Sequence, residues 1–218
     1  MNLHPGLKKR AQLELFRHYR NMQAKIHDLT YLFWECTLRC NLNCSHCGSD
    51  CLSSSSVTDM PAEDFLGVLD KVRKKLDPRK ITVALTGGEP ILRKDLERVG
   101  FRIANWGYPW GIVSNGWALS RSRLNSLLNA GMVTMTVSLD GMAGSHDWLR
   151  NRKGSYKRAV SAISSLAGSS IPMFDVVTCL TQRNLDELDQ MKDLLVKLGV
   201  NNWRIISIFP RGRAASNP

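Results

Sequence analysis

Six short apolar runs, rich in β-branched and aromatic residues, alternate with segments of helical periodicity, and this alternation restricts the chain to parallel βα units. The runs lie at 31–36, 81–85, 110–113, 133–139, 174–179 and 203–208. Between the first two, residues 61–76 place Phe65, Leu69, Val72 and Leu76 on one helical face. Residues 185–198 form another helical pattern, opened by Asn184 as a cap with Glu187 three residues on and closed by Gly199. Further helices are expected at 94–105, 121–129 and 156–166. Parallel strands joined by right-handed crossovers close into a barrel or lie in an open sheet, with their βα loops gathered at one edge. A leading helix is expected over 6–27, where Leu7, Ala11, Leu15, Tyr19, Met22 and Ile26 share a face.

With 218 residues, 43% of them hydrophobic, the chain can bury a core for one domain with an extension, and disorder is excluded. The net charge of +11 suits an acidic partner or a nucleic acid, although basic residues spread over several helices also make ordinary solvated faces. Arg150, Arg152, Lys153, Lys157 and Arg158 form a run without acids, expected to be a solvated loop and helix start. No stretch approaches the roughly 18 apolar residues of a membrane span, and the basic N-terminal segment has no apolar signal core. The protein is therefore expected in the cytoplasm, where its six cysteines would serve metal or redox chemistry rather than disulfides.

Cys40, Cys44 and Cys47 sit in the loop after the first strand, in the phrase Cys40-Asn41-Leu42-Asn43-Cys44-Ser45-His46-Cys47. Thiolates so close can ligate one metal centre, and three of them leave one iron of a cubane cluster open to an outside ligand. The alternative is a non-catalytic module, in which Cys36 or Cys51 completes a zinc site and the positive charge gives nucleic-acid affinity. That module lacks the second Cys-x2-Cys knuckle usual in zinc sites. Cys36, Cys51 and Cys179 have buried, inert thiols as their default. Thr86-Gly87-Gly88-Glu89-Pro90 ends the second strand, where glycines permit close backbone approach and Glu89 offers an anionic acceptor. Ser114 and Asn115 end the third strand, and Ser138 and Asp140 end the fourth. Asn115-Gly116 and Asp140-Gly141 are also good turn formers in their own right.

Cys-x3-Cys-x2-Cys after a first strand, followed one βα unit later by Gly87-Gly88-Glu89-Pro90, resembles the radical SAM superfamily. The resemblance covers about residues 30–214 and implies a partial (β/α)6 TIM-like barrel with a leading N-terminal helix. It implies a [4Fe–4S] cluster on Cys40, Cys44 and Cys47, and S-adenosylmethionine held by Gly87, Gly88, Glu89 and Pro90, by Ser114 and Asn115, and by Ser138 and Asp140. His46 is expected near the adenine. Reductive cleavage then yields a 5′-deoxyadenosyl radical that abstracts hydrogen from substrate, without a conventional acid–base pair. His146-Asp147, Arg150 and Gly154-Ser155, with Pro210-Arg211-Gly212-Arg213-Ala214, resemble segments of SPASM or twitch members that modify peptides and proteins. The stretch from Leu32 to Cys51 also resembles a subgroup encoded beside small lipoproteins. The expected organisation is a helical extension at 1–29, a core at 30–209 and a linker at 210–218 toward an auxiliary-cluster domain. The implied partners are a peptide or protein substrate and an external reductant such as flavodoxin or ferredoxin, with no membrane span and with nucleic acid not the favoured partner. The motifs do not assign substrate-binding residues.

Overall fold

The computed structural model of the chain describes residues 6–216, so the first five residues of the expected extension and the last two of the expected linker lie outside the described residues. The chain divides into two units between Thr30 and Tyr31. The first contains one helix, α1 (Leu7–Gln23), shorter than the periodicity suggests, and none of its residues is buried. The second holds six strands in the order β1 (Tyr31–Thr37), β2 (Thr82–Gly87), β3 (Trp110–Ser114), β4 (Met132–Ser138), β5 (Met173–Leu180) and β6 (Trp203–Ser207). Every neighbouring pair is parallel, and β1 does not pair with β6. The result is the open, partial barrel that the resemblance implies.

Crossovers between strands are α2 (Ala62–Arg73), α3 (Leu96–Asn105), α4 (Arg121–Asn129), the pair α5 (Ala143–Leu149) and α6 (Ser155–Ala167), and α7 (Leu188–Lys197). Their apolar faces bury Leu69, Ile103, Leu127 and Ile163 together with strand residues Leu85, Trp110 and Met135. Trp110 is fully buried and its indole N–H donates to Ala130 O at 3.3 Å, so the ring fills the core without stranding a donor. The opposite face borders a cavity of about 540 Å³, lined by Gly111, Thr134 and Thr136 together with larger residues such as Phe33 and Trp203. A closed barrel fills such an interior with bulky side chains; here it stays open.

One expected cap is corrected. Asn184 holds the N-cap position of a 3₁₀ turn, Leu185–Glu187, that precedes α7, but neither its side chain nor that of Glu187 makes a capping hydrogen bond. Asn184 is fully buried; its amide donates to Asp140 O and Cys179 O, both at 2.9 Å, and its Oδ1 accepts from Thr181 N. Glu187 accepts from Met142 N and Ser145 Oγ. Both side chains face long-range donors and acceptors whose hydrogen bonds are better made in the buried loop layer than at the helix end.

Asp147 performs the capping that sequence periodicity does not reveal. Its carboxylate accepts from Gly154 N, Ser155 Oγ and Tyr156 N, satisfying donors of the first turn of α6. Burial opposes its charge, but these donors outweigh it and hold the carboxyl below the usual carboxylate range. A lowered folded-state value stabilises the fold above the unfolded-state pKa, and that stability disappears as pH falls through the folded one. Asp147→Ala is expected to cost on the order of 1 kcal/mol at neutral pH. The difference from the parent chain should shrink below the ordinary carboxylate range, as measured by urea unfolding across pH.

Candidate active site

The parallel sheet brings the loops after β1, β2, β3 and β4 to one edge, where the loop at 39–52 folds over the strand ends. Backbone bonds fasten this loop: Cys40 N donates to Leu52 O, Gly88 N to Thr37 O and Glu89 N to Arg39 O, at 2.7–2.9 Å. The last two require an approach that no side chain permits. A Cβ on Gly88 would lie 2.1 Å from Arg39 O, and one on Gly87, whose φ is +118°, would lie 2.2 Å from Thr37 O.

Cys40, Cys44 and Cys47 line one cavity of about 430 Å³ with His46, Gly87, Gly88, Ser114, Asn115 and Ser138. Cys51 and Cys179 also line it, whereas Cys36 lies in the main core with its thiol donating to Thr86 O at 3.3 Å. N–H donors surround the sulfurs of the three loop cysteines. Cys40 Sγ receives Leu42 N at 3.5 Å and Asn115 Nδ2 at 3.8 Å, Cys44 Sγ receives Arg150 Nη1 at 3.7 Å, and Cys47 Sγ receives Cys51 N at 3.4 Å. A hydrogen bond from the Cys51 side chain, followed by backbone donors and Arg213, pushes Cys47 down to about 5 against its own burial. Burial pushes Cys40 up to about 11 and raises Cys44. This donor set fits an iron–sulfur cluster, whose thiolates bind metal as anions and accept N–H bonds.

Glu89, Pro90 and Asp140 are buried and do not line this cavity. Glu89 is 0% exposed. Its Oε1 accepts from Ser114 Oγ and Ile91 N, and its Oε2 from Asn115 N, so the carboxylate shapes the wall through residues that do reach the cavity. Burial pushes its carboxyl up to about 7.

Arg150 is the principal departure from expectation. Placed by sequence in a solvated run, it is 9% exposed and pairs with Asp140 at 2.6 Å while donating to Cys44. Burial works against its charge, but Asp140 and then Cys44 raise its pKa. Burial, then Arg150, pushes His46 down to about 4, so its 3.8 Å approach to Asp140 is not an ion pair at neutral pH. Arg152 also leaves the solvated run in part, stacking 3.8 Å over Trp117 and donating to Asn41 O. Arg213, read as part of a linker and of the segment resembling SPASM or twitch members, donates to Cys44 O and Cys51 O and pairs with Asp50. The glycine before it permits this placement: Gly212 has φ +58°, and a Cβ there would lie 2.5 Å from both Cys47 O and Gly48 O.

An open parallel sheet with a thiol-lined cavity beyond its strand ends defines an α/β protein built to hold a metal centre. Residues 34–195 match the model of the Radical SAM superfamily, and the chain belongs to that family. The family uses a [4Fe–4S] cluster and S-adenosylmethionine. Its membership favours the enzymatic reading over the zinc or nucleic-acid module. The chain is 32% identical over 185 residues to an AdoMet-dependent heme synthase of Methanosarcina barkeri, covering 83% of this chain and 51% of that protein. It is 30% identical over 190 residues to the sporulation killing factor maturation protein SkfB of Bacillus subtilis, covering 85% and 45%. The fold matches Streptococcus suis SuiB bound to S-adenosylmethionine with a TM-score of 0.71 at 14% identity, over 96% of this chain and 48% of that one. The chain thus spans about half the length of the curated relatives it matches.

The close approach at Gly88 can be tested without any cofactor. Gly88→Ala should lower stability by about 1–3 kcal/mol through overpacking against Arg39 and Cys40. Gly48→Ala, which meets nothing within 4 Å, should leave the urea midpoint nearly unchanged.

Proposed function

We propose that this chain is a radical SAM enzyme that modifies a peptide or protein, with a [4Fe–4S] cluster on Cys40, Cys44 and Cys47. The observation that carries the ligand assignment is the set of N–H donors aimed at these three sulfurs, while Cys36 is sealed in the core. When bound, the cluster supplies one electron that splits S-adenosylmethionine into methionine and a 5′-deoxyadenosyl radical, which takes a hydrogen atom from a substrate C–H bond.

The chain's own residues bind and orient. Gly87 and Gly88 expose backbone at the cavity wall, and Ser114, Asn115 and Ser138 present polar groups to the nucleoside and methionine portions of the cosubstrate. Glu89 and Asp140 hold these walls in place from behind. Arg150 neutralises charge beside Cys44, and His46, uncharged at neutral pH, forms a wall toward the adenine.

The maturation protein SkfB and a mycofactocin maturase, MftC, of Mycolicibacterium smegmatis, both 30% identical to this chain, support a peptide substrate. The heme synthase relatives favour a second reading, in which the substrate is a tetrapyrrole. No described helix is long and apolar enough to cross a membrane, and a cytoplasmic enzyme reduced by a flavodoxin or ferredoxin agrees with the chemistry. The further organisation proposed is a helical extension at 1–29, a core at 30–209 and a linker at 210–218 leading to an auxiliary-cluster domain in the whole protein.

Anaerobic reconstitution with iron and sulfide, then dithionite and S-adenosylmethionine, should give a brown protein and 5′-deoxyadenosine detectable by chromatography. Replacing Cys40, Cys44 and Cys47 together by alanine should reduce bound iron and product to background, whereas Cys36→Ala should retain both. Zinc in place of iron, or product from the triple variant, would overturn the proposal.

A further inference from the structure

A second cavity, of about 1000 Å³, opens at the C-terminal ends of β5 and β6. His46 lines both this cavity and the one holding the cysteines, so the two share a wall. Leu180 and Ile208 give the second cavity apolar surface, and Ser45 and Thr181 give it hydroxyls. None of its lining residues is acidic, and its one charged residue is Arg183.

Arg183 is poised in an unusual way for a surface arginine. Its guanidinium lies 4.7 Å from the ring centroid of Trp148, a residue that remains 50% exposed. Among the described residues it makes no hydrogen bond or ion pair, although the chain has 19 acidic side chains. Stacking holds the planar group against one face and leaves its N–H fork free, and that fork matches the two oxygens of a carboxylate. A neighbouring anchor strengthens the placement: Asn184 is fixed by Asp140 O, Cys179 O and Thr181 N, so the chain on the C-terminal side of Arg183 is tied to the sheet.

We propose that this cavity is the substrate site and that Arg183, seated on Trp148, binds a carboxylate of the substrate. The proposal rests on the radical SAM reading for the identity of the neighbouring cavity. The carboxylate belongs either to an acidic side chain of a peptide or to a free small molecule such as a porphyrin with propionate arms. In both cases the anion is held at Arg183 within the cavity that His46 also lines.

The test is equilibrium binding to the purified full chain by fluorescence anisotropy, with fluorescein-labelled Gly-Ser-Glu-Ser-Gly and its Gln counterpart as probes. Coproporphyrin III and its tetramethyl ester provide the small-molecule pair. A preference of about tenfold or more for the carboxylate form of either pair is expected, lost in Arg183→Gln and partly kept in Arg183→Lys. Which pair shows the preference identifies the source. Equal binding within both pairs, or a preference that survives Arg183→Gln, overturns the proposal; a merely solvated arginine gives that result. Formation of 5′-deoxyadenosine without added substrate, measured on the same preparation after reconstitution, tests the radical SAM reading separately.

Discussion

The ion pair between Arg150 and Asp140 is the interaction on which the rest of the site depends. Both residues are withdrawn from water, and a charge in such a place is tolerable only when a partner and further hydrogen bonds compensate it. Asp140 meets that condition by also accepting Cys179 N, and Arg150 by reaching Cys44. The pair thereby connects the end of β4, the end of β5 and the cysteine loop. Removing one partner of such a pair typically costs about 3–5 kcal/mol, because the other charge is left uncompensated. In this fold the loss would fall where three loops meet.

A similar economy of polar groups governs the loop after β2. Glu89 is sequestered, yet Ser114 and Asn115 owe their positions to it, and Asn115 in turn touches both Cys40 and Asn41. The glycines before it allow the two loops to share backbone hydrogen bonds at van der Waals contact. Wall and cysteine loop are consequently one hydrogen-bonded layer, laid across the strand ends and not attached to a single strand.

Much of this was legible from the residues. Apolar β-rich runs and helical periodicity located all six strands and the crossover helices other than α5 to within a few positions, since both are local signals. The grouping of the cysteines with Gly87, Gly88, Ser114, Asn115 and Ser138 was legible through motif and topology together, because parallel strands bring successive βα loops to the same edge. The orientation of charged side chains was not legible. Arg150 stands among basic neighbours that are exposed, and only the distant Asp140 and Cys44 distinguish it from them. Glu89 and Asp140 stand at strand ends, and the donors that bond their carboxylates come from other loops, a pairing that local sequence does not show. Asn184 and Glu187 matched a helix-start pattern whose spacing is local, and tertiary hydrogen bonds prevailed over it.

The anchoring of Asn184 bears on how such a protein diversifies. Its amide ties the segment after β5 to the backbone at Asp140 and Cys179, which leaves Gln182 and Arg183 projecting from a fixed stem. Substitutions at those two positions would change what the neighbouring cavity admits without altering the hydrogen bonds around the cysteines. Under the proposed assignment, recognition and radical generation would rest on different residues of one scaffold, so that changes at a two-residue tip could alter the first without disturbing the second.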